Sequence, residues 1–476
     1  MMRKQFTEAD QTAFARLSGD HNPMHLDAVA ARRTVAAEPV VHGMHLLCWA
    51  LDAFAASERA LPPAVGLRAK FSKFTPVGDT VEVTVGKRSE KSVQLRVGGS
   101  GIPRADLTIL FESADDSAVP LLPADLDIIP APVKALDTDA EAYAGTRGLL
   151  RFEGSPEDYA RRFPAAAAWI GGARLAAIGA STLLVGMICP GLHSIYAGLR
   201  VAFVEDPDAE AGLRFEAGVP THTLITSTLD GGGIRGTLDS LVRHAPTAQP
   251  TMAELAGLVA PDAFAGSTAL VIGGSRGLGE LTAKLIASGG GKVLISYRVG
   301  KTEAEAVAAD IIGSGGQCEI LPYDVLAEAG PQIADLPEPP THAYYFAAPT
   351  IARPNSVFYD RTRLDDQARI FVDGFWSLAT ALRERRRDIR LFYPSTVFIT
   401  DRPKGMGEYA MAKAIGEVLC AEMNATMAPL NVTYARLPRL ATDQTAGVMP
   451  ADAGPSIEAL LPLIRQVQGA DVAAAA

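Results

Sequence analysis

The chain has 476 residues, of which 48% are hydrophobic and 21% charged, and its formal net charge is -10 at pH 7. This length predicts two or three domains, and the composition excludes an intrinsically disordered chain. The negative charge argues against binding to a nucleic-acid backbone, which requires clustered Lys and Arg.

The first segment, residues 1 to 118, predicts a helix followed by strands. Thr7 and Asp10 form a capping pattern in front of the run QTAFARL, which predicts a helix there. The runs VEVTVGKR and VQLRVGG alternate in polarity, as half-buried strands do. The proline-rich run AVPLLPADLDIIPAPVK, residues 118 to 134, then predicts a linker.

A second segment, residues 138 to 250, repeats the order of helix and then strands. Its most apolar stretch, Leu175 to Cys189, is rich in Ala and Gly and is followed by Pro190. This stretch is shorter than the ~20 residues of a membrane span, so it predicts a buried helix. The run LRVAF at 199–203 is similar to LRAKF at 67–71, and together with the element order it predicts an internal duplication.

The third segment, residues 264 to 476, changes to units of strand, glycine turn, helix and strand. The run STALVIGGSRGLGELTAKLIASGGGKVLISYR is the clearest example. Such alternation predicts a Rossmann-like, doubly wound parallel sheet with helices on both faces.

The cysteines and the N-terminus bear on where the protein resides. The four cysteines are far apart, with no CxxC pattern or Cys/His cluster, so neither a disulfide framework nor a zinc site is expected. The opening MMRKQFTEADQ lacks the apolar core of a signal peptide. We therefore expect a cytoplasmic protein with reduced thiols, no bound metal and no membrane partner.

The stretch SGDHNPMHLD, residues 18–27, holds the first candidate site. Asp20 and His25 flank an Asn-Pro turn that can direct both side chains into one cleft. The alternative is that Asp20 caps a helix and His25 packs at its start. Downstream, Gly43 precedes a long apolar helix and can offer a backbone N–H at the positive helix end.

These blocks, together with FSKFTPVGDTVEV further along, resemble the MaoC-like (R)-specific enoyl-thioester hydratases and dehydratases. The resemblance covers most of residues 5 to 115 and implies a hotdog fold, a long helix wrapped by an antiparallel sheet. It implies that Asp20 and His25 are the catalytic pair and that Gly43 donates to the thioester oxygen. His42 is expected behind this pair, and His21 and His45 are expected to be structural or solvent-facing.

The second segment has no D-x-N-P-x-H motif, and its His193 stands alone. We therefore expect a degenerate second hotdog without its own catalytic pair, so that the first segment and this one form a double hotdog. The run GTLDSL at 236–241 is a faint match to a phosphopantetheine attachment site, and its position in a predicted strand argues that the match is chance.

The glycine turn of the third segment predicts a dinucleotide site. It follows an apolar strand and opens a helix, so a pyrophosphate can meet a helix N-terminus. The turn residues expected to contact the cofactor are Gly273, Ser275, Arg276, Gly277, Leu278 and Gly279.

The third segment also contains a YxxxK pattern, which places Tyr409 and Lys413 on one helix face. The pattern resembles the short-chain dehydrogenase/reductase (SDR) family over residues 266 to about 450. The resemblance implies that Tyr409 is the acid–base group and that Lys413 lowers its pKa and holds the nicotinamide ribose. Ser395 is expected to bind the substrate carbonyl, although Thr396 lies at the more usual spacing.

Arg298 ends the second strand where an NAD-specific domain carries an acid. With Arg276 it offers two guanidinium groups to a 2′-phosphate, so we expect NADP(H). Asp324 matches the residue that contacts adenine in the SDR family.

Two blocks depart from the SDR pattern. The family's Asn-Asn-Ala-Gly stands here as FAAP, with Ala347 at the cofactor, and its relay Asn is absent, with Phe371 or Asp373 nearby. Proton resupply to Tyr409 would then come from solvent or through another group, such as Asp373.

A ketoreductase makes the β-hydroxyacyl thioester that an (R)-specific dehydratase consumes. The leading hypothesis is therefore a bifunctional NADP-dependent enzyme of acyl-CoA or acyl-carrier-protein thioesters in fatty-acid-like or polyketide-like biosynthesis, with a homodimer as its assembly. Two alternatives stay open: hydration and oxidation in the degradative direction, or an acyl-binding scaffold with an inactive reductase.

Overall fold

The computed structural model describes residues 2–34, 36–99, 101–112, 119–137, 140–349, 351, 359–442 and 454–469. The expected segment borders at residues 118 and 138 lie outside these ranges. The chain divides into two compact units, Met1–Ala245 and a second that begins at Pro246. The first unit thus contains both the first and the second segment of the sequence.

The first unit is built from one large sheet and the helices packed on it. Its strands are β1 (Met2–Gln5), β2 (Gly66–Phe71), β3 (Thr80–Arg88), β4 (Ser92–Gly99), β5 (Ile102–Leu110), β6 (Arg147–Leu150), β7 (Ser194–Phe203), β8 (Leu213–Glu216), β9 (Leu224–Gly231) and β10 (Ile234–Val242). Its helices are α1 (Glu8–Ser18), α2 (Pro23–Leu26), α3 (Ala28–Ala31), α4 (Gly43–Ser57), α5 (Pro156–Arg162), α6 (Pro164–Ile170) and α7 (Gly172–Leu183), with a π turn (Leu184–Ile188) and 3₁₀ turns (Ala140–Tyr143 and Gly191–His193).

The two halves of the ten-stranded sheet have the same internal order. From either edge of the sheet towards its centre, the strands are the first, third, fourth, fifth and second of that half in chain order. The sheet runs β1-β3-β4-β5-β2 and then β7-β10-β9-β8-β6, so each strand of the first half has a counterpart in the second. The halves join where β2 pairs with β7 in antiparallel register, with Arg68 opposite Arg200. The similar runs at 67–71 and 199–203 are therefore the two strands at the centre of the sheet.

The predicted helices form where the sequence places them. Thr7 and Asp10 make the capping box of α1. The apolar stretch beginning at Leu175 forms the buried α7 and its π turn, which share one core with α4. The described part of the predicted linker is bonded to this unit, since Leu122 N–H donates to Asp230 Oδ2 (3.3 Å) and Ile129 N–H donates to Leu149 O (3.0 Å).

No single helix within the described ranges has the length and apolarity to cross a membrane. The helices Pro164–Ile170 and Gly172–Ile188 meet those criteria only as a pair, bent by 111°.

The second unit holds a six-stranded sheet flanked by helices. Its strands are β11 (Thr268–Ile272), β12 (Lys292–Tyr297), β13 (Gln317–Pro322), β14 (His342–Tyr345), β15 (Arg390–Thr396) and β16 (Asn431–Leu437). Its helices are α8 (Gly277–Ser288), α9 (Lys301–Gly313), α10 (Ala329–Ile333), α11 (Arg361–Ala368), α12 (Phe375–Arg385), α13 (Phe398–Asp401), α14 (Gly407–Thr426) and α15 (Ser456–Gln468), and a π turn (Arg369–Gly374) joins α11 to α12.

All neighbouring strands of this sheet are parallel, in the order β13-β12-β11-β14-β15-β16. This is the doubly wound order of dinucleotide-binding sheets, and it confirms the predicted Rossmann-like fold. The unit begins earlier than residue 264, because Met252, Leu255 and Phe264 are buried in its core.

Candidate functional site

The loop after α1 is shaped by its own polar groups. Asn22 caps the short helix α2, its side chain accepting from Met24 N–H (3.0 Å), and Pro23 stands at the first helical position. The Asn22 amide also donates to the carbonyl oxygens of Gly186 (2.8 Å) and Gly191 (3.1 Å). The loop carrying Asp20 and His25 is thereby fastened to the second half of the unit.

Asp20 is fully buried, and its carboxylate is held by hydrogen bonds. Thr182 Oγ1 donates to Oδ2 (2.7 Å) and Asn22 N–H donates to Oδ1 (3.1 Å). A Cβ placed on Gly186 would overlap this carboxylate, so the close approach of the α7 π turn requires glycine. Burial raises the pKa of Asp20, while His25, Thr182 and Asn22 oppose that rise.

His25 lies on α2 beside this carboxylate. Its Nδ1 is 2.7 Å from Val40 O, which can only accept, so Nδ1 carries the hydrogen and Nε2 of the neutral ring is a proton acceptor. The ring stacks on buried His42, with centroids 3.8 Å apart. The His42 ring nitrogens lie 2.9 Å from Gln11 Oε1 and 3.0 Å from Asp20 O. Burial lowers the pKa of His42 well below its usual value.

Gly43 is the first residue of α4, so its N–H has no acceptor within the helix. No hydrogen bond from this N–H to another described residue is formed. Asp20, His25 and Gly43 line one cavity of about 60 Å³, together with Thr182 and Thr75. The structure therefore brings the three predicted catalytic groups of the first segment together.

Asp20, His25 and His42 also place one ligand atom each within 4.8 Å of one another, as a metal site would. Each of these side chains already makes hydrogen bonds to protein groups, and both ring nitrogens of His42 face oxygen atoms. This arrangement suits proton transfer better than metal ligation.

The second half has no counterpart of this buried pair at His193. His193 Nε2 contacts Oδ1 of the exposed Asp137 (3.1 Å), and neither residue lines the cavity of Asp20 and His25. His45 is buried and stacks on Phe14, whereas His21 is exposed. The run at 236–241 lies within β10, as expected for a chance match.

The glycine turn of the second unit connects β11 to α8. Gly273 and Gly277 have φ of +78° and +59°, a region that glycine adopts without strain. A Cβ on Gly279 would overlap Gly273 O, so this glycine lets the helix pack close to the turn. Gly273 lies against the backbone of Ala347, which brings these two predicted contacts together. Ser275 is buried, and Leu278 follows in the first turn of α8.

Arg298 and Asp324 stand at the same edge of the sheet as this turn. Arg298 is exposed directly after β12, and Arg276 is the N-cap residue of α8. Asp324 follows β13, where its Oδ1 accepts from Leu326 N–H (3.0 Å). The carboxyl ends of parallel strands form the ligand-binding edge of such sheets.

Tyr409 and Lys413 lie on α14, beside β15. Thr396, at the end of β15, hydrogen-bonds the Tyr409 hydroxyl; burial nevertheless raises the pKa of Tyr409 to about 12. Ser395 does not face Tyr409, because its hydroxyl donates to Glu417 Oε1 (2.5 Å). The structure therefore replaces Ser395 by Thr396 as the hydroxyl beside Tyr409.

Lys413 is buried between aromatic rings. Its Nζ lies 4.0 Å from the Phe371 ring centroid and 4.7 Å from that of Tyr393, and it donates to Pro394 O (2.6 Å). Burial lowers the pKa of Lys413 to about 7. Burial thus disfavours the charged form of Lys413, and the shift in the Tyr409 pKa arises from burial and from Thr396. Phe371 stands over the amine, whereas Asp373 is exposed.

Sequence reasoning missed Thr182, Gly186 and Thr75. None belongs to the D-x-N-P-x-H pattern. Thr182 and Gly186 lie in the stretch from Leu175 to Cys189, whose sequence predicts only a buried apolar helix. Their proximity to Asp20 or to its cavity depends on the packing of the two halves, which leaves no local pattern.

The MaoC like domain family matches residues 2–100. A 3-oxoacyl-[acyl-carrier-protein] reductase of Synechocystis is 46% identical over 55 residues, which are 12% of this chain and 22% of that protein. An (R)-specific enoyl-CoA hydratase of Aeromonas caviae is 49% identical over 45 residues, which are 10% of this chain and 34% of that protein.

Among solved structures, a 3-oxoacyl (acyl-carrier-protein) reductase of Agrobacterium tumefaciens with NADP bound is similar, at 20% identity and a TM-score of 0.38. The similarity covers 42% of this chain and 87% of that one. The chain spans 9% to 34% of the length of the curated relatives it matches.

Proposed function

We propose that this protein is a bifunctional enzyme of acyl thioesters, a 3-ketoacyl reductase joined to an (R)-3-hydroxyacyl dehydratase. Residues 1–118 are the MaoC-like hotdog domain, residues 138–250 a second hotdog and residues 264–476 an NADP-binding SDR domain. The observation that carries this proposal is that Asp20, His25 and Gly43, whose N–H is free, line one cavity.

The strand order supports the double hotdog. Each half contributes five antiparallel strands and one long helix, and the second half repeats the order of the first in reverse. The second half keeps α7 as its central helix but has no motif of its own, so we assign it the role of completing the first half's site. Thr182 and Gly186 are the residues through which it does so.

Dehydration requires a base for the α-proton, an acid for the leaving hydroxyl and a donor for the enolate-like oxygen. Nε2 of His25 is positioned as the proton acceptor, and Asp20, whose pKa is raised by burial, supplies or receives the second proton. The Gly43 N–H at the start of α4 stabilises the oxygen.

The second unit fits a dinucleotide. Gly273 and Gly277 adopt the left-handed conformation, and Gly279 allows close packing behind the turn, so the N–H groups that open α8 can receive a pyrophosphate. We assign Arg298 and Arg276 to a 2′-phosphate, which selects NADP(H) over NAD(H). The bound cofactor supplies hydride.

Within the reductase site, Thr396 orients the substrate carbonyl and Tyr409 protonates the oxygen that becomes the hydroxyl. Lys413 re-protonates Tyr409 from its amine, whose pKa near 7 allows it to exchange protons at neutral pH. Ser395 is not part of this group, because Glu417 holds its hydroxyl.

The substrate is an acyl thioester of CoA or of a carrier protein. The chemistry suits fatty-acid-like or polyketide-like biosynthesis, in which reduction precedes dehydration. The degradative direction is the alternative, and the 2′-phosphate assignment makes it less attractive. Four free cysteines, Cys48, Cys189, Cys318 and Cys420, suit the reducing cytoplasm.

A scaffold with an inactive reductase is a second candidate, which one observation favours. Phe371 stands at the place of the family's relay Asn, so an aromatic ring and not an amide lies beside the Lys413 amine there. If reduction requires the relay Asn that is missing here, the unit binds NADP(H) without turnover.

We also propose a homodimer. Met411, Ile415 and Val418 form an apolar stripe on α14 and are 40%, 46% and 65% exposed. The same stripe on a second copy of the chain offers a matching apolar surface, so we infer that the two stripes pack against each other. Val418→Lys should then convert a dimer to a monomer in light scattering, whereas a wild-type monomer would contradict this proposal.

Each activity can be tested alone. We expect the purified chain to hydrate crotonyl-CoA and, separately, to oxidise NADPH with acetoacetyl-CoA. Absence of the first activity would refute the dehydratase assignment, and absence of the second with intact NADPH binding would favour the scaffold.

A further inference from the structure

Thr75 lies beside the start of α4, on the strand-like segment that leads to β3. Val41 N–H donates to Thr75 O (2.8 Å), and Val77 N–H donates to Pro39 O (2.9 Å). The segment therefore runs antiparallel to the chain that enters α4. This pairing places Thr75 opposite Val41, two residues before Gly43.

The Thr75 side chain has no structural partner. It is 3% exposed, and its Oγ1 forms no hydrogen bond with any described residue. Buried hydroxyl groups are almost always hydrogen-bonded, and a valine would fill the same space without an unsatisfied group. The fold alone therefore gives no reason for a hydroxyl at this position.

Thr75 lines the cavity that Asp20, His25 and Gly43 also line. The hydroxyl of the neighbouring Thr182 is already engaged, since it donates its hydrogen to the Asp20 carboxylate. Thr75 therefore offers a hydroxyl hydrogen that is not committed to the protein.

We propose that Thr75 is a catalytic residue, whose hydroxyl donates to the thioester carbonyl oxygen alongside the N–H of Gly43. This oxygen gains negative charge as the α-carbon loses its proton or as water adds to the β-carbon. In a water-poor cavity, the hydrogen bond from a second donor to this oxygen becomes stronger as the negative charge develops. The inference rests on the proposed hydratase function of the same cavity.

Two variants isolate the hydroxyl. Thr75→Val keeps the volume and removes the donor, and we expect it to lower kcat/KM for crotonyl-CoA hydration by about 10- to 100-fold, mainly through kcat. Thr75→Ser keeps the donor, so its kcat/KM should stay within about threefold of wild type. The melting temperature of Thr75→Val should equal or exceed that of wild type, because an unsatisfied buried hydroxyl is removed.

The outcomes separate the inference from the function on which it rests. Wild-type activity in Thr75→Val, a loss confined to KM, or an equal loss in Thr75→Ser would each overturn the role of the hydroxyl. If the wild-type chain does not hydrate crotonyl-CoA at all, the proposed function itself fails.

Discussion

Thr182 donates a hydrogen bond to the carboxylate of Asp20 across 162 residues of sequence, at 2.7 Å. The donor comes from the half of the first unit that has no catalytic motif. The second half therefore contributes directly to the candidate site of the first.

Replacing Thr182 by Val should weaken this site without removing its acid–base pair. Loss of one hydrogen bond to a buried charged group costs about 1.5–3 kcal/mol, so we expect hydration of crotonyl-CoA to fall by roughly tenfold or more. Steady-state kinetics of Thr182→Val and Thr182→Ser compare a lost donor with a retained one. Equal rates in the two variants would show that the hydroxyl is not needed.

Gly186→Ala should be more damaging than Thr182→Val, because the added methyl group overlaps the Asp20 carboxylate. We expect loss of hydratase activity and a lower melting temperature. Gly313→Ala is the control, since a Cβ there meets no atom within 4 Å. Full activity of Gly186→Ala would contradict the close approach of the π turn to Asp20.

His25→Ala should reduce hydration by about 10²- to 10⁴-fold, the usual contribution of a general acid or base. His21→Ala, on the same loop but exposed, should leave the rate unchanged. Circular dichroism on both proteins checks that folding is intact. A rate in His25→Ala close to that of His21→Ala would refute the assignment of His25.

The D-x-N-P-x-H motif could be predicted because its residues are neighbours in sequence and its turn is local. The same holds for the glycine turn, whose positive φ angles only glycine adopts easily. Thr182 and Thr75 could not be predicted, since their roles depend on how distant segments pack. From spacing alone, either Ser395 or Thr396 could be the hydroxyl beside Tyr409. The structure favours Thr396, because the Ser395 hydroxyl donates to Glu417 instead.

Arg298→Ala should lower NADPH affinity by roughly tenfold or more and leave NADH binding unchanged, because a charge-assisted bond to the 2′-phosphate is lost. Arg387→Ala is the control, an exposed arginine that precedes β15 and so lies at the amino end of the strands. Fluorescence titration with both cofactors measures the difference. Tighter binding of NADH than NADPH by the wild-type chain would reverse the cofactor assignment.

Lys413→Met should stabilise the protein at neutral pH. Since burial lowers the pKa of Lys413 from 10.5 to about 7, the unfolded chain binds more protons than the folded chain between these values. Stability of the wild type therefore rises with pH across this window. The melting-temperature advantage of Lys413→Met should be largest near pH 7 and shrink towards pH 10.

Lys404→Met changes an exposed lysine and should give no such pH-dependent advantage in calorimetry. An advantage of Lys413→Met that does not change with pH would show that the amine is not the cause.

Under the proposed function, one chain reduces a 3-ketoacyl thioester and dehydrates the product. Mass spectrometry of a reaction with acetoacetyl-CoA and NADPH tests it directly, with Tyr409→Phe and His25→Ala proteins run in parallel. We predict 3-hydroxybutyryl-CoA and crotonyl-CoA with the wild type, the hydroxyacyl product alone with His25→Ala, and neither with Tyr409→Phe. Unchanged reduction by Tyr409→Phe, or no reduction by a wild type that binds NADPH, would contradict the bifunctional assignment.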